Sequence, residues 1–279
     1  RIMAHFGYQV AGFGAGADVI DTTDQGIDAR YAGGSGDFFV TENNIFQSGG
    51  SDVTISYWFY PNWTGTNYGG GGNGHTDIPF IASTPILGGT PNEFRIEWGE
   101  ASSKNYIDYT FNFSQIGQVE FHTEVANTSS NVLDLGEWHH LLFSSTGGGN
   151  SGTHLLYIDD VRITNIVSSE TAPASNFTYN QSSTTDCHIY KTWLEGNNYL
   201  WMNNSFLDLT VESNRRKFIT SGGAVPSMGT DGSTPTGSQP LIFWRGNATN
   251  PVNRGSASTG TITTTGTLLN TTVGEPVLS

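Results

Sequence analysis

The chain has 279 residues and a formal charge of −14, from 25 acidic against 11 basic side chains. Such a field repels phosphate backbones, which argues against nucleic-acid binding, and it suits a solvated acidic surface, including at high salt where screening weakens self-repulsion. Cys187 is the only cysteine, so an intrachain disulfide and a Cys-based metal site are both excluded.

Residues 1–30 read as an N-terminal arm. Val10 to Ala17 sets small residues around one aromatic, with neither helix nor strand periodicity, and suits a segment lying along a neighbouring subunit or a loose terminus. The first residues lack the apolar core of a signal peptide, so export by the usual route finds no support. Strand signals begin at Phe38. Between Val53 and Tyr60 the odd positions Val53, Ile55, Tyr57 and Phe59 share one side and Thr54 and Ser56 the other, the two-residue period of a half-buried strand. Phe94–Trp98 alternates with Arg95 and Glu97 outward, and Ile107, Tyr109, Phe111 and Phe113 alternate with Asp108, Thr110 and Asn112. These segments predict an antiparallel sheet with one apolar face.

Trp138 to Phe143 is apolar on both faces, which places it centrally with His139 and His140 partly covered and bonded to neighbours rather than serving as ligands. His154 to Ile163 predicts two strands around an Asp159-Asp160 turn, because aspartate tolerates the left-handed backbone better than most residues. One helix is predicted over Val211–Ile219, with Thr210 as its cap, Glu212 near the positive end, Arg215, Arg216 and Lys217 near the negative end, and Gly222 or Gly223 as its stop. Dipole compensation and surface pairing account for that basic trio without a binding patch. Residues 222–279 read as a turn-rich C-terminal extension with one or two added strands, at Pro240–Trp244 and Gly260–Leu268. No apolar run approaches the roughly 18 residues of a membrane span. Long helical patterns between the strands are missing, so the fold class is all-β.

Phe38-Phe39-Val40, Val53 to Pro61, Gly136 to His140 and Leu156 to Val161 together resemble laminin-G-like, concanavalin A-like jelly rolls, over about residues 30–205. The usual turn there is Asp-Gly. Asp160 stands in place of the glycine, which implies a strained or longer hairpin. Farther on, Phe206 to Ile219, Asp231 to Ile242, Asn253-Arg254-Gly255 and Gly260 to Thr263 resemble laminin-G-like proteins of tailed bacteriophages, particularly marine ones. The resemblance implies a single jelly-roll β-sandwich over residues 31–221 with one short helix. It also implies a virion structural protein, assembled in the bacterial cytoplasm, a decoration or fibre of head or tail. Its expected partners are other capsid or tail proteins, further copies of itself and host surface glycans.

Catalytic constellations are weak. Concanavalin-type glucanases carry acidic residues two apart on one strand so that both point into one groove. No two acidic residues here are separated by a single residue, and Glu97 and Glu100, three apart, fall on opposite faces of a strand; a dyad drawn from different strands stays open. A Gly-x-Ser-x-Gly elbow is missing, and Cys187 and His188 are adjacent on a predicted strand that sends their side chains apart. His75-Thr76-Asp77, His122-Thr123-Glu124 and Asp159-Asp160 are the sets nearest to metal ligands, but each fits an ordinary polar turn or strand face, and neither metal nor cofactor is expected. For a sugar, Trp63 and Tyr68 offer aromatic platforms beside the glycine-rich run Gly69 to Gly74, with His75 and Asp77 as hydrogen-bonding groups. With the catalytic constellations weak, the resemblance implies a non-enzymatic, lectin-like virion protein. A soluble carbohydrate-binding module and, less favoured, a glucanase are the alternatives.

Overall fold

The computed structural model describes residues 52–61, 136–146, 152–164, 194–247, 250–258 and Leu278, together with the remaining strands named below. In chain order these are β1 (Ile27–Asp28), β2 (Phe38–Asn43), β3 (Val53–Pro61), β4 (Thr76–Ser83), β5 (Glu93–Ala101) and β6 (Lys104–Asn112). Next come β7 (Gln118–Val125), β8 (His139–Ser145), β9 (His154–Ile158), β10 (Val161–Ile163), β11 (Ile166–Ser169), β12 (Asp186–Lys191) and β13 (Leu194–Asn203). A single helical turn, α1 (Glu212–Arg215), precedes β14 (Ile242–Asn247), β15 (Asn250–Asn253), β16 (Ile262–Thr265) and β17 (Leu269–Asn270). Among the described residues no helix is long and apolar enough to cross a membrane.

The strands form two antiparallel sheets. One runs β10-β9-β8-β3-β13-β1-β17, with β14 also beside β13 and β15 beyond it; the other runs β11-β7-β6-β5-β4-β12-β2-β16. They meet through aromatic rings. Phe143 of β8 stacks on Phe111 of β6 and takes Phe121 of β7 edge-on, with ring centroids 3.6 and 6.1 Å away. Tyr109 and Phe111 are both buried, as the alternation along β6 predicts. The odd positions of β3 face this layer, and the register continues it: Ile55 lies opposite Phe143, and Tyr57 opposite Leu141.

The even positions correct the sequence reading. Thr54 and Ser56 do not face solvent, being 0% and 1% exposed. Their face, shared with Trp58, Leu142, Leu155, Tyr157, Trp201 and Phe243, is covered by Leu209, Phe218, Ile219 and Met228 from farther along the chain. Strands β3 and β8 are therefore buried on both sides. Each fully buried large apolar side chain contributes about 1.5–3 kcal/mol, so the outer layer stabilises the sheet as the inner one does.

Residue Tyr199 gives β13 its shape. Its φ of 52° is rare without glycine, and the pairing with β3 shifts register between Asn198 and Trp201. This extra residue is a bulge, and it turns Trp201 to the outer face while Leu200 and Met202 face inward. The helix is shorter than predicted. Val211, not Thr210, is its N-cap, with no side-chain cap bond. Thr210 instead gives both its amide and its hydroxyl to Asp208 Oδ1, at 2.9 and 2.6 Å, an Asx turn that competes with the cap. The strands predicted at Pro240–Trp244 and Gly260–Leu268 correspond to β14 and β16; β15 and β17 are additional. In β15 the sequence Asn-Pro-Val-Asn hides a strand, since proline is tolerated only at such edges.

Candidate functional site

The start of β8 gathers the most chemically suggestive side chains among the described residues. Adjacent positions on a strand point to opposite faces, so His139 enters the inner layer and His140 the outer one. His140 Nε2 lies 2.8 Å from Ser56 Oγ, and its ring stacks on Trp58 with centroids 4.5 Å apart. His139 Nδ1 lies 2.6 Å from Asp159 Oδ2, and the other Asp159 oxygen accepts the backbone N–H of His140 at 2.8 Å. Both histidines are buried and bonded to neighbours, as the sequence predicts.

Serine, histidine and aspartate so arranged resemble a hydrolase triad in composition only. In a working triad one imidazole bridges serine and carboxylate. Here Ser56 holds His140 while Asp159 holds His139, on opposite faces of the strand. Ser56 and His140 are each 1% exposed, beneath the outer layer. A second polar tie lies beside them: Thr54 Oγ1 is 3.0 Å from Ser144 Oγ and donates to Ser205 O at 2.6 Å, while Ser144 Oγ accepts the amide of Leu207 at 2.9 Å. Buried polar groups bonded in this way fix register rather than react.

Burial lowers the His140 pKa to about 3, and the charges of Asp159 and Asp160, which pull it upward, do not offset that loss of hydration. Burial likewise drives the Tyr57 and Tyr109 hydroxyls well above the usual phenol range, Asp159 adding to the effect at Tyr109. The folded chain keeps His140 neutral where the unfolded chain, with its ordinary value of 6.5, takes up a proton. This histidine's contribution is therefore complete above pH 6.5 and is lost progressively as pH falls toward about 3. We expect the melting temperature to drop between pH 6.5 and about 4, and the slope to be shallower in His140→Gln. Equal slopes in thermal melts of the two proteins would contradict it.

The β9–β10 hairpin turns through Asp159 and Asp160, with φ of 52° and 64°. It is a two-residue turn and no longer, so the missing glycine is met by left-handed aspartates. Neither carboxylate is spare for calcium. Asp159 is engaged by His139 and His140 as described. Asp160 takes Arg215 Nε on one oxygen and Arg216 Nη2 on the other, at 2.6 and 2.7 Å. Burial raises the Asp160 pKa, but the hydrogen bonds from Arg216 and Arg215 and their charges outweigh it and leave the carboxyl below its usual range. Arg215 and Arg216 of the basic trio are thus used in pairing, with Arg216 also reaching Glu212 at 2.9 Å. Among the described residues no group of three or more His, Cys, Asp or Glu is placed to hold a metal ion.

Of the sugar-site residues named from the sequence, Trp63, Tyr68 and His75 lie outside the described residues. Asp77 lies on β4, and its register is informative. Asp77 is opposite Glu97, Glu97 is opposite Asp108 on its other side, and Asp108 is opposite His122, a single row across β4, β5, β6 and β7. In β6 and β7 this row alternates with the buried Tyr109, Phe111 and Phe121, so it belongs to the other face of the second sheet. Opposed positions have Cβ atoms about 4.5–5.5 Å apart. Sequence reasoning did not find the row, because strand pairing is not written in any one segment. Glu100 lies on β5 as well, opposite Asn105, and Glu124 of the His122-Thr123-Glu124 set lies opposite Tyr106. Cys187 and His188 are neighbours on strand β12.

No family model matches the chain, and no curated protein sequence does. Among solved structures it is similar to the full-length tailspike protein 2 of Escherichia coli O157:H7 bacteriophage CAB120, at 13% identity and a TM-score of 0.41 over 63% of this chain and 22% of that one. It is also similar to the receptor binding domain of botulinum neurotoxin type G, at 10% identity and a TM-score of 0.30 over 64% of this chain and 42% of that one. The chain therefore spans about a fifth of the tailspike and under half of the toxin domain. Likenesses this slight carry no function to the present chain.

Proposed function

We propose that the chain is a non-enzymatic structural protein of a tailed-phage particle, built on a laminin-G-like jelly roll, whose second sheet presents a polar face to host surface glycans. The observation that carries the glycan-contact part is the row Asp77, Glu97, Asp108 and His122, a line of hydrogen-bonding residue types across four neighbouring strands. The particle assignment rests on the resemblance of Phe206–Ile219 and Asp231–Ile242 to phage proteins. Further copies of the chain and other capsid or tail proteins are its partners, since virion proteins occupy symmetric positions. Quantitative mass spectrometry of particles from the phage that encodes it tests this reading. A fixed copy number relative to the major head or tail protein is the expected result, and particles that lack the chain would overturn it.

One observation favours a second reading. Acidic residues stand opposite one another on neighbouring strands, and a retaining glycosidase needs two carboxyl groups close together, so Glu97 with Asp77 or Asp108 is where a hydrolytic pair would lie. On the binding reading the purified chain retains host polysaccharide without releasing reducing ends. Release that is lost in Glu97→Gln would replace binding by hydrolysis.

A further inference from the structure

The segment 210–217 crosses the outer side of the β9–β10 hairpin with little of its own to hold it down. Helix α1 is one turn of four residues, buries none of them and has no side-chain cap bond. A turn this short does not persist alone, because nucleation costs more than so few hydrogen bonds return. None of residues 210–217 is buried, whereas Leu209 just before them is fully buried in the outer layer. The remaining ties converge on a cationic pair: Arg215 gives Nε to Asp160 and Nη1 to Leu209 O at 2.8 Å, and its guanidinium caps the Tyr157 ring 4.7 Å from the centroid. Arg216 holds the second Asp160 oxygen. The turn residue that anchors the segment is the one that departs from Asp-Gly, so the left-handed strain at Asp160 is tolerated at a position where glycine would supply no carboxylate.

We propose that residues 210–217 form a flap over Tyr157, fastened to the hairpin tip by the Asp160 carboxylate, which opens without disturbing the sheets and turns the Tyr157 ring to solvent. The flap's charged groups are Glu212, Arg215, Arg216 and Lys217, and beside it Arg162 of β10 stands near Asp208. Flanking residues stay put when it opens, because Leu209, Phe218 and Ile219 are fully packed against the sheet and Leu207 is bonded to Ser144. This inference is independent of the phage assignment.

Hydrogen exchange on the full chain, read by mass spectrometry, tests it with Asp160→Asn and Asp160→Gly. Both substitutes accept a left-handed backbone, so the hairpin survives, while asparagine removes the charge of the clamp and glycine removes the clamp altogether. The flap amides of Asn214, Arg216 and Lys217, bonded to Val211, Glu212 and Asn214 carbonyls, are expected to exchange about tenfold faster or more. Amides of β8 and β9 are expected to keep their native rates, and Tyr157 to become the more readily nitrated tyrosine. Where a variant fails to fold, a sodium chloride series on the native chain gives the same reading, with flap exchange alone rising as the ion pairs are screened. Flap amides that are unprotected in the native chain, unaffected by the changes, or accelerated in step with β8 and β9 would overturn the proposal.

Discussion

Trp201→Ala is expected to destabilise the chain by about 3–5 kcal/mol, the range for deleting a large aromatic from a packed interior. Trp201 is fully buried in the outer layer, its ring edge-on to Phe218 at 4.8 Å, and its Nε1 donates to Gly232 O at 2.8 Å. Removing it opens a cavity between β13 and the covering residues and leaves a buried carbonyl unpaired. Gly232 itself packs closely against the Phe243 ring, which a Cβ at that position would meet at 2.7 Å. At roughly 2–4 °C per kcal/mol for a domain of this size, the melting temperature falls by about 10 °C. Trp201→Phe keeps the ring contact and loses the N–H, so its cost is nearer the roughly 1–3 kcal/mol of one unsatisfied buried group. A loss under about 1 kcal/mol in Trp201→Ala, measured by denaturant unfolding, would mean that the outer layer does not pack as described.

Gly255→Ala is expected to cost about 3 kcal/mol, although it adds one methyl group. The new Cβ would run into the carbonyl of Leu241 and lie 2.8 Å from the Ile242 Cα. Backbone cannot rotate away as a side chain does. The turn after β15 must therefore lift off the start of β14, where Arg254 N bonds Phe243 O, Ser256 N bonds Pro240 O and Ala257 N bonds Leu241 O. The same shift pulls Asn253 Oδ1 from the amides of Phe243 and Gly255, which it accepts at 3.0 and 2.9 Å. Thermal melts check this: a drop of several degrees is expected, and a change under about 1 °C would contradict the close approach.

The legible parts of the fold were those written locally. Alternation along β3 and β6 gave the inner face, the apolar run from Trp138 gave the central strand, and paired aspartates gave the β9–β10 turn. The outer layer was illegible for a physical reason: Thr54 reads as a solvent-facing residue until Ser205, 151 positions away, supplies its partner. Strand β13 was obscured by its bulge, because Tyr199-Leu200-Trp201-Met202 is apolar without interruption and shows no period. The helix was overestimated since Asp208 takes the hydroxyl that would have capped it. At the candidate glycan face only Asp77 came from sequence reasoning. Glu97, Asp108 and His122 join it through a register that four separate segments determine together.

Reactive-looking groups held as scaffold ties are the centre of this account, and His140 tests that most directly. A pH titration of the histidine ring nitrogens by NMR, on chain labelled with nitrogen-15 histidine and assigned with His140→Gln, reports its protonation state. The expected result is a single neutral tautomer at His140 from pH 8 down to the onset of unfolding, consistent with a pKa of about 3. A His140 signal that titrates near 6.5 in the folded chain would place the ring in water, and the Ser56–His140 pair would have to be read as an accessible site instead.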